Sequence, residues 1–136
     1  MNYDEAIEYI ETVSCSGIMP GLVRIQALLE KTEHPEKKCN VIHVAGTNGK
    51  GSVCSYISSI LMKAGYRVGR YVSPTLFDYR ERIQINDSWI SKADTAYWMS
   101  RVREADKKMQ AEGMEGASAF ELETVMAFLY FKASRC

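Results

Sequence analysis

The most informative stretch of this 136-residue chain runs from Val44 to Ser52 and reads VAGTNGKGS. The short apolar run before it, residues 41–45, predicts a strand covered on both faces, as in a parallel sheet. The residues after it carry apolar side chains at helical spacing and predict a helix over 52–64. A strand, a glycine-rich loop and a helix in this order are typical of a site for nucleotide phosphates.

The residue types in this loop suit the chemistry of a phosphate chain. Gly46, Gly49 and Gly51 leave the backbone free to turn consecutive N–H groups toward an anion. The N-terminal dipole of the predicted helix points at the same place. Lys50 supplies a mobile positive charge for the β- and γ-phosphates, and the hydroxyl of Ser52 behind it is suited to magnesium.

The spacing departs from the common phosphate-loop pattern G-x-x-x-x-G-K-[ST]. That pattern would require a glycine at Val44 and a hydroxyl at Gly51, whereas the hydroxyl here is Ser52, one place later. A glycine-rich turn that merely joins a strand to a helix remains the alternative. It leaves Lys50 and the density of glycines unexplained.

The order of the other elements extends this unit into an α/β fold. A second strand is predicted at 68–72, which makes one βαβ unit of two parallel strands. A small hairpin follows at 82–90. Further helices are predicted at 4–13, 22–34, 91–111 and from Ser118 onward, the last two opened by capping boxes. The fold expected is phosphate-loop NTPase-like, a parallel sheet flanked by helices, and too short of strands to be more than part of a domain.

Composition and charge argue against several other classes of protein, namely nucleic-acid-binding, membrane-bound and secreted proteins. Seventeen basic residues balance seventeen acidic ones, so no overall field favours nucleic acid or an anionic membrane as a partner. The longest apolar run, 125–131, is too short to span a bilayer, and the acidic N-terminus is unlike a signal peptide. A cytoplasmic location is therefore expected. The cysteines are scattered along the chain and predict free thiols.

The variant loop, with four other segments, resembles the folylpolyglutamate synthase and dihydrofolate synthase family. These enzymes belong to the ATP-dependent ligases that also build bacterial cell-wall peptides. The matching segments, in chain order, are 21–25, 44–52, Ser73-Pro74, 79–83 and 118–121. By this resemblance, residues 1–136 correspond to the front of an N-terminal ATP-binding domain like the central domain of the cell-wall ligases. The rest of that domain and a glutamate-binding C-terminal domain would lie beyond residue 136.

The resemblance implies a reaction and a set of roles. A folate carboxylate is phosphorylated by ATP to an acyl phosphate, which the amine of L-glutamate then displaces; dihydrofolate synthesis is a further activity of some members. Lys50 would act on the terminal phosphates, Ser73 and Ser52 on Mg²⁺, and Phe120 and Arg82 on the substrate. The residues expected to bind ATP are Gly46, Thr47, Asn48, Gly49, Lys50, Gly51 and Ser52.

Structural roles compete with several of these assignments. A serine before proline is commonly only a turn residue, Phe120 suits a core, and Arg82 suits a solvated strand. His43 lies in the predicted apolar strand and is expected to be a buried, hydrogen-bonded histidine. Thr75 stands where the family often has histidine. A truncated, non-catalytic remnant with weak or no nucleotide binding is the alternative function.

Overall fold

The computed structural model describes residues 1–14 and 20–136, so the predicted loop at 14–21 lies mostly outside the described residues. The described residues form five α-helices, two short 3-10 turns and three short strands. They run in the order α1 (Tyr3–Ser14), α2 (Val23–Lys31), a 3-10 turn (Pro35–Lys38), α3 (Lys50–Lys63), β1 (Gly69–Tyr71), a second 3-10 turn (Tyr79–Arg82), β2 (Ile83–Ile85), β3 (Ser88–Trp89), α4 (Lys92–Ala111) and α5 (Ala119–Ala133).

The strands form one antiparallel sheet in the order β1-β2-β3. Gly69 lies opposite Ile85 and Tyr71 opposite Ile83, and β2 then turns back into β3. The turn consists of Asn86 and Asp87, both with positive φ, as a tight hairpin of this hand requires. The predicted hairpin is therefore confirmed, and the predicted second strand is present as β1.

The predicted strand at 41–45 is wrong. These residues are in no strand, Val41 and Ile42 are 59% and 62% exposed, and His43 is exposed rather than buried. The one sheet among the described residues is antiparallel, so the expected parallel βαβ pair is not found there. A strand needs a neighbour to satisfy its backbone N–H and C=O groups, and the described residues give this run none.

The hydrophobic core lies between α4 and α5, with α1 and α2 packed across them and the sheet closing one side. Both long helices begin at caps that the sequence predicts: Ser91 accepts from the N–H of Asp94, and Ser118 and Glu121 form a full capping box. Fully buried side chains come from every one of these elements: Ala6, Leu28, Ile83, Ile90, Met99, Val102, Met109, Leu122, Val125 and Met126. The cluster Tyr97, Trp98 and Met99 is predicted from the sequence to be the buried face of a helix; Met99 is fully buried, but Tyr97 is 55% exposed.

Helix α3 stands apart from this core. It begins at Lys50, two residues before the predicted start, and Gly65 follows it in the left-handed conformation that ends many helices. On its apolar face, Tyr56 and Ile60 are 72% and 67% exposed. Within residues 1–14 and 20–136, no helix is long and apolar enough to cross a membrane.

Candidate functional site

The glycine-rich segment forms an exposed loop that leads directly into α3. Gly49 is the residue just before the helix and has a φ of 80°, in the left-handed region, and Gly46 has a φ of 153°. A Cβ built on Gly49 would meet nothing within 4 Å, so the need for glycine there comes from the backbone conformation and not from crowding. The predicted loop before a helix is therefore present, without a strand in front of it.

The first turn of α3 presents backbone donors to solvent. The N–H of Val53 donates to the carbonyl of Gly49 at 3.0 Å, which is the ordinary first bond of the helix. The N–H groups of Lys50, Gly51 and Ser52 come before that bond and have no carbonyl one turn earlier within the helix. Gly49 offers no side-chain cap either. An anion placed here would meet several donors and the positive end of the helix dipole.

Lys50 folds back over the loop. Its Nζ donates to the carbonyl of Gly46 at 2.5 Å and reaches that of Thr47 at 3.4 Å. Both partners are uncharged, and within the described part of the chain Lys50 forms no ion pair. The ammonium is exposed and stands over the loop that precedes the free N–H groups of α3. A phosphate arriving there would meet a charge that no carboxylate neutralises.

The two serines expected at the metal are both exposed. Ser52 lies in the first turn of α3, and Ser73 follows Val72, whose N–H donates to the carbonyl of Arg82 at 2.9 Å. Hydroxyl oxygens are ligands that Mg²⁺ accepts. Among the described residues, no group of three or more His, Cys, Asp or Glu side chains could hold a metal ion. The donors present therefore fit only part of a magnesium site, with phosphate oxygens and water as the remaining ligands.

Phe120 lies at the surface and not in the core. It is 64% exposed, and its ring stacks on Tyr71 with centroids 6.2 Å apart. Thr124, one turn further along α5, donates to the Tyr71 hydroxyl at 3.4 Å, and burial raises the pKa of Tyr71 to about 12. Tyr71 is thus a rigid, neutral support that holds an exposed aromatic ring at the start of α5.

Arg82 is half-buried and already paired, contrary to a solvated arginine. Its Nη1 lies 2.6 Å from Glu123 Oε1, its Nε donates to the carbonyl of Tyr79 at 3.1 Å, and its guanidinium lies 4.1 Å from the centre of the Tyr79 ring. Burial raises the pKa of Glu123 even though Arg82 opposes that shift. A substrate carboxylate would therefore have to compete with Glu123 for this cation.

Arg82 also borders a cavity of about 320 Å³ between α1, α5 and the segment that follows β1. Two isoleucines give it an apolar wall, and polar or charged groups surround the rest. The described residues that line it are Ile7, Ile10, Glu11, Ser14, Thr75, Tyr79, Arg82 and Glu123. Among the described residues, no hydrogen bond or ion pair joins the lining of this cavity to the phosphate loop, so the predicted site residues fall into two groups.

Comparisons with known proteins match nearly the whole chain. It is 37% identical over 129 residues to the dihydrofolate synthase/folylpolyglutamate synthase of Bacillus subtilis, which covers 95% of this chain and 30% of that protein. The solved folylpolyglutamate synthase of Thermotoga maritima is 40% identical and superposes with a TM-score of 0.89 over 98% of this chain and 31% of the other. The chain is similar in sequence and in fold to folylpolyglutamate and dihydrofolate synthases.

The relationship concerns only part of such a protein. The chain spans about 30% of the length of these two proteins. A solved FPGS–AMPPCP–folate complex, 33% identical, superposes with a TM-score of 0.88 over 99% of this chain and 33% of its own. AMPPCP is a non-hydrolysable analogue of ATP. No model of a known protein family matches the chain.

The sequence analysis missed two residues near the cavity that Arg82 borders, Tyr71 and Glu123. Glu123 had a usable signal, because it is a carboxylate inside the apolar run that forms α5, and a buried carboxylate needs a partner. Tyr71 had none, since a tyrosine at the end of a short strand is common. Its role depends on the approach of α5 to β1, which no local pattern encodes.

Proposed function

We propose that this chain is the nucleotide-binding segment of an ATP-dependent ligase that joins L-glutamate to a folate. The observation that carries the proposal is the loop before α3, where free helix N–H groups, left-handed Gly49 and unneutralised Lys50 stand together. The similarity to folylpolyglutamate synthases supports the choice of ATP and folate over other phosphate-containing ligands.

The reaction has two steps. A carboxylate oxygen of the folate attacks the γ-phosphorus of ATP, which yields an acyl phosphate and ADP. The amine nitrogen of glutamate then attacks the acyl carbon, and inorganic phosphate leaves as the amide forms. A carboxylate and an amine do not condense in water because the carboxylate lacks a leaving group, and phosphorylation supplies one.

The residues of the loop would contribute charge and position. The N–H groups at 50–52 would bind phosphate oxygens, and Lys50 would leave the carbonyls of Gly46 and Thr47 to meet the terminal phosphates. Developing negative charge there is stabilised by donors that are already in place. Thr47 and Asn48 would line the same loop.

Magnesium, when bound, neutralises charge on the phosphates. Ser52 and Ser73 would hold it together with phosphate oxygens, because their hydroxyls are the oxygen donors that the chain offers. Phe120 is proposed as an apolar contact for the folate and Arg82 as a contact for a carboxylate. Residues 1–136 would form the front of the ATP-binding domain, and the glutamate site would lie elsewhere in a longer protein.

Nucleotide binding by the chain tests the proposal. AMPPCP with Mg²⁺ is titrated into the chain and into Lys50→Ala, with binding followed by calorimetry. We expect Lys50→Ala to weaken binding at least about tenfold, since it removes a charge-assisted contact worth about 1.5–3 kcal/mol. Lys63→Ala, at the far end of the same helix, is the matched control and should bind as the parent does.

Two results would count against the proposal. Equal affinity in Lys50→Ala and Lys63→Ala would remove Lys50 from the site. Absence of binding by the unsubstituted chain at millimolar AMPPCP would favour the second candidate, a remnant without nucleotide binding. The specific observation in favour of that candidate is the absence of a strand at 41–45. Without that strand, no regular element directly precedes the loop and holds it in place.

A further inference from the structure

The loop at 73–77, which carries Ser73, has a defined shape that side-chain burial does not explain. Leu76 and Phe77 are 80% and 92% exposed, so their large apolar side chains bury little area there. Loops without apolar contacts are ordinarily the first parts of a protein to open. Something other than packing has to hold this one.

The Glu81 carboxylate accepts three backbone hydrogen bonds from the loop and the residue after it. Oε2 accepts from the N–H of Leu76 at 2.9 Å, and Oε1 accepts from those of Phe77 and Asp78 at 2.6 and 2.7 Å. These bonds, that from Leu76 first, lower the pKa of Glu81. The side chain is thus an anion at neutral pH, as a strong acceptor of three donors must be.

Helix capping alone does not account for this arrangement. Glu81 is the third residue of the 3-10 turn at Tyr79–Arg82, and its bond from the Asp78 N–H is one half of a capping box. A capping box needs only that one bond from the Glu81 carboxylate. The bonds from Leu76 and Phe77 lie outside the turn and act on the loop before it.

Other groups fix the two ends of the loop. On the entry side, the N–H of Val72 donates to the carbonyl of Arg82 at 2.9 Å. On the exit side, Asp78 pairs with Arg80 at 2.8 Å. Glu81 lies between Arg80 and Arg82 in sequence and holds the last two residues of the loop, Leu76 and Phe77. The loop that carries Ser73 is thus bonded, at its last two residues, to a carboxylate eight residues from Ser73 in sequence.

We infer that Glu81 is a positioning residue for Ser73: its carboxylate fixes the 73–77 loop so that the Ser73 hydroxyl is held where the metal binds. The inference rests on the proposed function for the role of Ser73. Glu81 itself would contact neither the nucleotide nor the metal. Its effect passes through the backbone of the loop.

The first measurement is amide hydrogen exchange at 76–78 in the chain, without any ligand. In Glu81→Gln the side chain keeps its length but becomes neutral and turns an NH₂ group toward N–H donors. We expect exchange at 76–78 to accelerate at least about tenfold, the equivalent of one lost charge-assisted hydrogen bond. Exchange in α4 and α5 should not change. Glu8→Gln, on the exposed side of α1, is the control for loss of one negative charge.

The second measurement separates positioning from general support. AMPPCP affinity is measured with and without Mg²⁺ in the unsubstituted chain, Glu81→Gln and Glu8→Gln. We expect Glu81→Gln to reduce the enhancement by Mg²⁺ about tenfold, the usual effect of losing a group that orients a metal ligand. Metal-free AMPPCP binding, which depends on the loop before α3, should stay the same.

Unchanged exchange at 76–78 would overturn the inference, and so would faster exchange with an unaltered Mg²⁺ enhancement. A chain that binds no AMPPCP at all would contradict the proposed function instead. In that case, amide exchange alone would test Glu81. A tenfold faster exchange at 76–78 in Glu81→Gln would support Glu81 as the residue that orders the loop. Equal exchange rates in Glu81→Gln and the unsubstituted chain would reject it.

Discussion

Among the glycines that the structure describes, Gly69 leaves the least room for a side chain. A Cβ built on it would stand 2.6 Å from Cδ1 of Phe131, a distance that real Cβ atoms do not adopt. Phe131 is 9% exposed and packs in the core, so it cannot swing aside freely. Gly69→Ala should lower the free energy of unfolding by about 1–3 kcal/mol through overpacking.

Denaturant unfolding of two alanine variants checks this prediction. Gly51→Ala is the matched control, because a Cβ at Gly51 meets nothing within 4 Å and its φ is not positive. In the first turn of a helix, alanine should leave stability the same or raise it by up to about 1 kcal/mol. Equal stability of the Gly69→Ala variant and the unsubstituted chain would contradict the prediction. It would mean that the Phe131 ring moves aside without any loss of folding free energy.

How far the sequence predicted single residues depends on whether their role is local. The exposed Lys50 and the glycines beside it were predictable because a loop before a helix is defined within a few positions. Phe120 was not, since its exposure depends on the approach of α5 to β1. The pairing of Arg82 with Glu123 likewise joins positions far apart in the chain, and no short pattern records it.

At the scale of elements, the 3-10 turn at Tyr79–Arg82 depends on the charge of its cap. Asp78 accepts from the N–H of Arg80 and also from its guanidinium, and these bonds, led by the side-chain bond, hold the pKa of Asp78 at about 2. A carboxylate with a lowered pKa stabilises the folded state above its ordinary pKa. That contribution is lost as the pH falls through the folded-state value.

Unfolding of Asp78→Asn as a function of pH tests the role of this cap. The unsubstituted chain should be more stable than Asp78→Asn at about pH 5 and above, and the difference should shrink steadily toward pH 2. Glu8→Gln, which removes an exposed carboxylate from α1, reports the effect of net charge alone. A difference between Asp78→Asn and the unsubstituted chain that is constant from pH 5 to pH 2 would show that the charge of Asp78 plays no part.

Elements that carry their own boundary signals were the predictable ones. The caps at Ser91 and Ser118 and the hairpin at Asn86 each lie within four residues of the structure that they define. The strand expected at 41–45 has no such signal of its own. An apolar, β-branched run becomes a strand only where a neighbouring strand takes its hydrogen bonds.

For the whole molecule, the sequence could not show which apolar faces meet. The periodicity of α3 and of α5 predicts an amphipathic or buried helix in both cases. In the structure, α5 lies at the centre of the core, with Leu122, Val125 and Met126 fully buried. On α3, the apolar side chains of Val53, Tyr56 and Ile60 are exposed to solvent. Periodicity identifies a face that could be buried, but the partner for that face is a property of the assembled chain.

This division of the molecule predicts opposite responses to the same kind of substitution. Ile60→Ala, on the exposed face of α3, should change the free energy of unfolding by less than about 0.5 kcal/mol. Leu122→Ala, in the core, should lower it by about 2–5 kcal/mol because it removes buried contacts and leaves a cavity. Contiguous exposed apolar surface promotes association. Sedimentation should therefore find less self-association for Ile60→Ala than for the unsubstituted chain. If denaturant unfolding instead gave the two variants similar losses, α3 would be packed against the core in solution.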